Sequence, residues 1–292
     1  MTRRNARKPR SRREAWTALA FLLPSLAGLA AMFFIPTADV IRRSFYSAMG
    51  NSFVHLDNYK LVLENASFRL AVKNTLRFLA VCIPLLLVLS LIAALLLYRR
   101  KRFQNLFRTS LLLPLVVPVT SVVLVMQVVF TRNGLLSALC AAFGRTPADW
   151  LNSEYAFYVL VASYLWKNLG YNVILWMAGL SAIPESLYEA ARVDGASEIR
   201  CFFAITLPQL SGTLFVTAVL ALINSFKVFR EAYLVAGQYP HSSIYLLQHV
   251  LSNWFTNLDM QKISAAAVLL MGVILIFVAV IQRLTQARGE QA

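Results

Sequence analysis

Long apolar segments without charged residues constrain this chain more than any other feature of its sequence. A helix that crosses a hydrocarbon core of ~30 Å needs about 20 mostly apolar residues. Four segments meet this requirement with no Asp, Glu, Lys or Arg, and two more meet it with polar interruptions. The four are Trp16–Pro36, Phe78–Leu97, Ser110–Phe130 and Ile263–Gln282, and the two are Tyr155–Ile183 and Leu210–Phe229. The sequence therefore predicts an all-α polytopic membrane protein with six transmembrane helices.

The composition excludes several other classes of protein. Of the 292 residues, 59% are hydrophobic and 14% are charged, whereas soluble domains have roughly 45–50% apolar and about 25% charged residues. A chain with so little polar surface is not a soluble enzyme, a disordered chain or a secreted disulfide scaffold. The apolar segments are continuous rather than alternating, which also argues against a membrane β-barrel.

The first apolar segment has two interpretations, because a basic stretch precedes it as in a secretory signal peptide. Its apolar run is longer than a usual signal core, and no convincing cleavage site occurs before Pro36. We therefore expect an uncleaved first transmembrane helix over 16–36.

The distribution of charge predicts the orientation. The chain has a net charge of +15, and most of it lies in residues 1–15 and in the connection Arg99–Arg108. Both stretches lie on one side if the helices alternate, and the positive-inside rule makes that side the cytoplasm. Six helices then place the C-terminus in the cytoplasm as well. This pattern favours contact with anionic lipid headgroups over a nucleic-acid site.

The first segment on the other side, 37–77, departs from this rule. It contains six Lys or Arg residues against Asp39, Asp57 and Glu64. Apolar residues between Phe53 and Leu63 are typical of a short amphipathic helix along the membrane face. The predicted organisation is a basic cytoplasmic tail (1–15), a first transmembrane helix (16–36), an extracytoplasmic segment (37–77), a five-helix core (78–283) and a cytoplasmic tail (284–292).

The connection between the fourth and fifth predicted helices, 184–208, has the pattern of two short helices. Pro184 suits the first position of a helix, and Glu185 follows where the helix dipole favours a carboxylate. Gly195 is placed to end that helix in a left-handed conformation, and Ser197 can cap the next. Pro208 is expected to end or kink the second helix. Apolar side chains recur at helical spacing in both: Leu187, Ala190 and Ala191 in the first, and Ile199, Phe202 and Phe203 in the second.

This loop is net negative, unlike the other segments predicted on the same side. Small residues at its elbow permit close approach of another surface. These features indicate a docking surface for another protein. An ordinary helical hairpin that links two membrane helices explains the same pattern equally well.

One motif in this loop resembles a known family. Glu189-Ala190-Ala191, three residues, Gly195, nine residues, and then Ile205-x-Leu207-Pro208 is similar to the EAA signature of binding-protein-dependent ABC importer permeases. Similarity to the carbohydrate branch, the maltose- and glycerol-phosphate-type permeases, extends over Phe21–Ser25, Leu56–Tyr59 and Gly237–Pro240. Ser211 departs from the pattern, because many relatives carry a further proline there.

The resemblance implies a division of labour between subunits. Such permeases work in pairs, often of two different chains, in the bacterial plasma (inner) membrane. An extracytoplasmic solute-binding protein delivers a sugar or related solute, and a cytoplasmic ABC ATPase dimer binds ATP and Mg. The EAA loop docks into the ATPase and couples it to the membrane helices. The implied coupling residues here are Glu189, Ala190, Ala191, Asp194, Gly195, Ile205, Leu207 and Pro208.

The sequence itself contains no G-x-x-x-x-G-K-[ST] phosphate-binding loop. We therefore expect this chain to bind no cofactor and to have no enzymatic activity of its own, with energy supplied by a partner or by an ion gradient. Its three cysteines and three histidines have no metal-binding or disulfide spacing.

Polar residues inside two predicted spans are candidates for a solute path, because such residues usually face a cavity. They are Lys167, Asn168, Tyr171 and Asn172 in the fourth span and Asn224 and Lys227 in the fifth. Trp166 and Trp176 are candidates to stack on sugar rings, because an aromatic face suits the apolar face of a pyranose. The alternative is that the lysines snorkel or pair with another chain and that the tryptophans anchor the helix at the membrane interface.

The sequence gives less support to two other functions, an ion-coupled secondary transporter and a membrane enzyme. An ion-coupled secondary transporter would show acidic residues in its spans and internal repeats, and no Asp or Glu lies in a predicted span. A membrane enzyme would need paired carboxylates or a Ser/His/Asp arrangement within the spans, and none is present.

Overall fold

The computed structural model describes residues 12–48, 52–98, 104–146 and 148–289. The predicted all-α class is confirmed: these residues form helices joined by short connections, with one isolated bridge between Tyr46 and Phe53 and no strand among them. Residues 1–11 of the predicted basic tail, Arg99–Arg102 of the basic connection and residues 290–292 lie outside the described residues.

The helices differ greatly in length, from three to more than thirty residues. In chain order they are α1 (Arg12–Leu29), α2 (Ile35–Arg43), α3 (Asp57–Glu64), α4 (Ala66–Tyr98), α5 (Gln104–Val116), α6 (Val119–Phe130), α7 (Leu135–Ala142), α8 (Ala156–Ser181), α9 (Glu185–Val193), α10 (Glu198–Cys201), α11 (Leu207–Gln209), α12 (Ser211–Lys227), α13 (Phe229–Ala236), α14 (Leu247–Thr256) and α15 (Met260–Gly289). Two π-helical segments, Ala30–Phe34 and Phe202–Thr206, and a 3₁₀ turn at Ser242–Ile244 complete the helical structure of the described residues.

Five helical segments of the described chain are long and apolar enough to cross a membrane, by length and composition. They are Leu19–Arg43, Ala66–Tyr98, Val119–Ala142, Ser211–Ala236 and Met260–Arg283. The predicted fourth span forms α8, whose 26 residues have a length of about 39 Å. It is not among the five, because Lys167, Asn168 and Asn172 lower its hydropathy.

The predicted third span, Ser110–Phe130, is wrong as a continuous helix. The helix stops at Val116, and Pro118 is extended with φ −58° and ψ 143° before α6 begins. Proline donates no N–H and disfavours helical geometry in the residue before it, so the chain breaks at Val117 and Pro118.

The first and second predicted spans are longer in the structure than in the sequence prediction. After α1 the chain remains helical through the π segment Ala30–Phe34 into α2, and Pro36 lies directly after that segment without ending the helix. The second span begins at Ala66 because Asn65 Oδ1 accepts the N–H of Phe68 at 2.9 Å and caps α4. The short helix expected between Phe53 and Leu63 is present as α3 but begins only at Asp57, because Phe53 lies in the bridge to Tyr46.

The chain divides into two compact units: residues up to 62 together with 259–269, and residues 63–258 together with the chain from 270 onward. In the first unit, Asn58 Nδ2 donates to the carbonyls of Ser44 and Tyr46 at 3.0 and 2.8 Å. These bonds hold α3 against the end of α2. The limits of the tail, outer segment and core that the sequence predicts stay predictions.

The second unit has its core between α4, α8 and α12. Phe78, Leu86, Tyr164 and Ala221 are buried there. A Cβ atom added at Gly170 would lie 1.7 Å from the carbonyl oxygen of Leu111, so only glycine lets α5 approach α8 this closely. This unit contains both candidate functional regions.

Candidate functional site

The loop between α8 and α12 begins with the helix that the sequence predicts, shifted by one residue. Pro184 is the residue before α9, with φ −61° and ψ 131°, and is not the first helical residue as expected. Glu185 lies in the first turn, where its carboxylate complements the positive end of the helix dipole.

The elbow after α9 matches the prediction. Gly195 adopts φ +74°, a left-handed conformation that glycine enters without a steric penalty. Its N–H donates to the carbonyl of Arg192 at 3.1 Å, and the N–H of Ala196 donates to Ala191 at 2.9 Å. These bonds satisfy carbonyls that the helix end would otherwise leave free. A Cβ atom added at Gly195 would meet no heavy atom within 4 Å, so the elbow itself is open.

The second helix of the loop is capped as predicted but ends differently. Ser197 Oγ accepts the N–H of Arg200 at 3.4 Å, and α10 then passes into the π segment Phe202–Thr206 and α11. Pro208 does not end this helix: the chain is helical through the π segment into α11, and Pro208 follows that segment as the second residue of α11. The break comes at Leu210, with φ −81° and ψ 2°.

A hydrogen bond that sequence reasoning missed ties the two arms of the loop together. The hydroxyls of Tyr188, on α9, and Thr206, at the end of the π segment, lie 2.9 Å apart. Thr206 is buried and Tyr188 is half-buried. The pattern of apolar positions gave no signal for this pair, because each residue is polar and 18 positions separate them.

Half of the eight predicted coupling residues are exposed. Glu189, Ala190, Asp194 and Gly195 are exposed, whereas Ala191, Ile205, Leu207 and Pro208 are half-buried. Larger apolar side chains around them are also uncovered: Val193 is 87%, Ile199 72% and Phe203 63% exposed. An exposed apolar patch of this kind marks an interaction surface.

The second candidate region is a polar cluster between α8, α12 and α13. Lys167 Nζ lies 2.6 Å from Glu231 Oε1, and Lys227 Nζ donates to Asn224 Oδ1 at 2.8 Å. A cavity of about 70 Å³ lies beside them. Its lining comprises Leu115, Ser163, Tyr164, Lys167, Asn168, Asn224, Lys227, Val228 and Glu231. Four of the six residues predicted for the solute path therefore share this cavity.

Glu231 corrects the expectation that no acidic residue lies within a span. The predicted fifth span ended at Phe229, but the structure's candidate span runs from Ser211 to Ala236 and includes Glu231. The side chain of Glu231 is 4% exposed, and Lys167 supplies the opposite charge that a buried carboxylate requires. The apolar run Ala232–Ala236 after Glu231 was the signal that the span continues.

The other predicted path residues lie elsewhere. Asn172 is fully buried outside the cavity lining, and its amide donates to the carbonyl of Asn168 at 2.9 Å. Tyr171 is half-buried and does not line the cavity. Trp176 is 1% exposed and donates from Nε1 to Ser90 Oγ at 3.0 Å. Stacking of Trp176 on a sugar ring is therefore wrong for this conformation, whereas Trp166 is exposed.

The charges around the cavity do not cancel. Two ammonium groups, Lys167 and Lys227, face one carboxylate, Glu231. Asn168 Nδ2 donates to the carbonyl of Tyr164 at 2.8 Å, which leaves its Oδ1 as an acceptor. Ammonium donors and amide acceptors at a cavity suit a solute with hydroxyl or anionic groups.

Known proteins resemble this chain over most of its length. The trehalose/maltose transport system permease protein MalF of Thermococcus litoralis is 29% identical over 284 residues, which cover 95% of this chain and 96% of that protein. The sulfoquinovosyl glycerol transport system permease protein SmoG of Agrobacterium fabrum is 29% identical over 93% of this chain and 91% of its own length.

The fold also matches a solved structure. A chain of a bacterial alginate ABC transporter, solved in complex with an alginate pentasaccharide-bound periplasmic protein, superimposes with a TM-score of 0.79 at 20% identity. The match covers 95% of this chain and 96% of that one. Residues 86–289 match the family model described as binding-protein-dependent transport system inner membrane component, and the chain therefore belongs to that family, as a multi-pass protein of the bacterial inner membrane.

Proposed function

We propose that this chain is the transmembrane permease subunit of an ATP-driven importer for a sugar or related solute. The observation that carries the proposal is the loop 184–208: it presents the EAA motif on an open elbow in a chain of the binding-protein-dependent family. The trehalose/maltose and sulfoquinovosyl glycerol permeases that resemble it support a carbohydrate-type solute.

In this proposal the loop docks into a cleft of a cytoplasmic ATPase dimer. Its uncovered apolar side chains, Val193, Ile199 and Phe203, supply the contact area that this chain leaves unused. Glu189 and Asp194, both exposed, add charge at the same surface. ATP and Mg belong to the ATPase, and the absence of a phosphate-binding loop from this sequence supports that assignment.

The structure offers a route by which movement of the loop reaches the membrane helices. The bond between Tyr188 and Thr206 joins α9 to the segment that leads through α11 into α12. A displacement of α9 therefore moves the start of α12 with it. Such packed contacts let a nucleotide-driven step in a partner bias two states of the permease.

We infer six membrane crossings with both termini in the cytoplasm. The sixth crossing is α8, whose polar residues lie on the buried side and at the cavity rather than toward lipid. Its length of about 39 Å exceeds the hydrocarbon thickness of ~30 Å. The basic connection Arg99–Arg108 then faces the cytoplasm, in accordance with the positive-inside rule.

The solute path runs past the cavity between α8, α12 and α13. Lys167, Asn168, Asn224 and Lys227 line it with donors and acceptors that replace the water around solute hydroxyls. A second permease subunit closes the other side of the path, and an extracytoplasmic solute-binding protein loads it. Membrane lipid surrounds the pair, and no nucleic acid is involved.

Extraction of the tagged protein from its native membrane in mild detergent tests the proposal. We expect an ATPase and a second polytopic permease to co-purify in stoichiometric amounts. Glu189→Lys should remove the ATPase without reducing the amount of permease in the membrane, whereas Ser186→Lys, on the same exposed helix, should not. A stable complex without an ATPase, together with uptake that survives ATP depletion, would identify a secondary transporter instead.

A further inference from the structure

A shallow apolar groove opens at the beginning of α4, away from the candidate functional site. It has a volume of about 370 Å³. Its lining, which we call the α4 groove, comprises Leu63, Phe68, Arg69, Val72, Lys73 and Leu76. The walls are almost wholly hydrocarbon, and both polar residues among them are cationic.

Two residues of the groove are held in place by contacts outside it. Phe68 is 5% exposed, and its ring stacks on that of Trp254 with centroids 5.9 Å apart and an interplanar angle of 13°. Arg69 Nη2 donates to the carbonyl of Glu64 at 3.0 Å, which directs the guanidinium toward the end of α3. One donor of Arg69 is used in this way, and its other N–H groups are left for a ligand.

The two cations of the groove have no carboxylate partner. Within the described residues, no acidic oxygen lies within 4 Å of Arg69 or Lys73, whereas Arg42 and Arg43 pair with Asp39. Arg77 lies over the ring of Phe157 at 4.2 Å. Part of the positive excess of the segment 37–77, which the positive-inside rule does not explain, is therefore gathered without counter-charge at this groove.

The position of these residues along α4 corresponds to lipid headgroups. The uncharged run of α4 begins at Phe78, five residues after Lys73 and nine after Arg69. At 1.5 Å per residue, Lys73 lies about 8 Å and Arg69 about 14 Å beyond the edge of the hydrocarbon core. The headgroup zone extends about 5–8 Å beyond that edge, so Lys73 lies within it, whereas Arg69 lies at its outer side and reaches the phosphate once its bond to Glu64 is exchanged for one to the lipid.

An exposed stripe continues from the groove into the hydrocarbon region. Leu76, Ala80, Pro84 and Val88 follow one another at helical spacing on α4, and all four are exposed. All four side chains are apolar, and the stripe runs along the helix axis, as an acyl chain does.

We propose that the α4 groove binds one anionic phospholipid, at the membrane interface where α4 begins. Arg69 and Lys73 hold the phosphate, and an acyl chain lies along Leu76 and the exposed stripe that follows it. The match of two unpaired cations above an apolar channel favours an anionic lipid over a neutral one, because each cation near an anionic headgroup adds its own attraction.

Native mass spectrometry of the purified protein with its co-extracted subunits tests this proposal. Delipidated protein is titrated with phosphatidylglycerol and, in parallel, with phosphatidylcholine. We expect one tightly retained phosphatidylglycerol per copy of this chain. Arg69→Gln or Lys73→Gln should weaken its binding about fivefold, and the double variant should weaken it roughly 30-fold.

Three further variants distinguish lipid binding in the groove from general electrostatic attraction to the outer segment. Lys60→Gln removes a cation from the same outer segment but outside the groove, and should bind as the original chain does. Lys73→Arg keeps the charge and should retain the lipid. Val72→Trp fills the groove without altering its charge, and this variant should no longer bind the lipid.

Several results would overturn the proposal. Phosphatidylglycerol binding by the double variant at the original strength would exclude the two cations as its ligands. Equal retention of phosphatidylcholine would show an apolar groove without charge selection. A photocrosslinker placed at Leu76 that labels another subunit rather than lipid would show that protein covers this face.

Discussion

The ammonium group of Lys167 lies 2.6 Å from a carboxylate oxygen of Glu231 and thereby links α8 to α13 across 64 positions of the sequence. Glu231 is almost completely buried, while Lys167 retains 19% of its side-chain exposure. Removing either partner leaves an uncompensated charge, but the more exposed ammonium can rehydrate. The two single substitutions should therefore lower the free energy of unfolding by different amounts.

We predict that Lys167→Met lowers the free energy of unfolding by about 3–5 kcal/mol, because the buried carboxylate of Glu231 then lacks its counter-charge. Glu231→Gln should lower the free energy of unfolding by less. The variant that carries both substitutions should be more stable than Lys167→Met alone. Thermal unfolding in detergent measures all three. Losses that simply add would show that the two side chains do not interact energetically.

His249 predicts a dependence of stability on pH. The imidazole is fully buried, and burial lowers its pKa from 6.5 to about 4. The N–H of Leu246 donates to Nδ1 at 3.1 Å, which requires the neutral ring. The rings of Phe229, Tyr233 and Tyr245 surround it, with centroids 4.8, 6.5 and 5.6 Å away.

Because the folded state resists protonation of His249, the neutral imidazole contributes fully to the free energy of unfolding above pH 6.5. This contribution declines as the pH falls toward 4. We expect a loss of up to about 3 kcal/mol over that interval. The mid-point of thermal unfolding, followed from pH 7 to pH 4, measures it. His249→Asn keeps an acceptor near Nδ1 and should flatten the profile, and an unchanged slope in that variant would assign the effect to other groups.

Gly195→Ala tests the elbow of the EAA loop. The backbone has φ +74°, and nothing crowds the new Cβ atom, so the cost is conformational strain of about 1–2 kcal/mol confined to the loop. We expect reduced solute uptake and ATPase coupling at normal membrane abundance. Gly212→Ala is the matched control, since that glycine is also uncrowded but lies in α12 without positive φ.

Alanine substitutions separate the asparagines of α8 and α12. Asn224 and Asn168 border the cavity, whereas Asn172 is enclosed outside its lining. We predict that Asn224→Ala raises the KM for uptake, and that Asn172→Ala changes thermal stability and leaves the KM as it is. Measurement of uptake kinetics and unfolding on the same preparations decides between these effects. Equal changes in KM for both variants would contradict the cavity as the solute path.

Local sequence rules predicted the features that depend on a few adjacent residues. Gly195 and Ser197 could be placed correctly because a left-handed turn and a side-chain cap are decided within four residues. Proline was harder to interpret. The sequence does not reveal that Pro118 breaks a helix whereas Pro36 and Pro208 follow π segments inside helices that continue, since this depends on the backbone before each proline.

Contacts between distant residues could not be predicted from periodicity. Glu231 lies beyond the predicted end of its span, and its burial depends on Lys167 from another helix. The hydrogen bond from Trp176 to Ser90 also joins residues far apart in the sequence. From the sequence alone, the indole ring of Trp176 could belong to a buried core or to a solute path. Membrane helices share one apolar composition, so the buried face of each is set by its neighbours.

The π segment Phe202–Thr206 lies between the exposed elbow of the EAA loop and α12, and it contains one residue that an α-helix would not need. Deletion of a single residue there would convert the π turn into an α turn and leave the orientation of the loop relative to α12 nearly unchanged. A deletion inside α12 would instead rotate the residues before it relative to those after it by about 100°. The loop is therefore tolerant of one deletion at the π segment and intolerant of the same change one helix later.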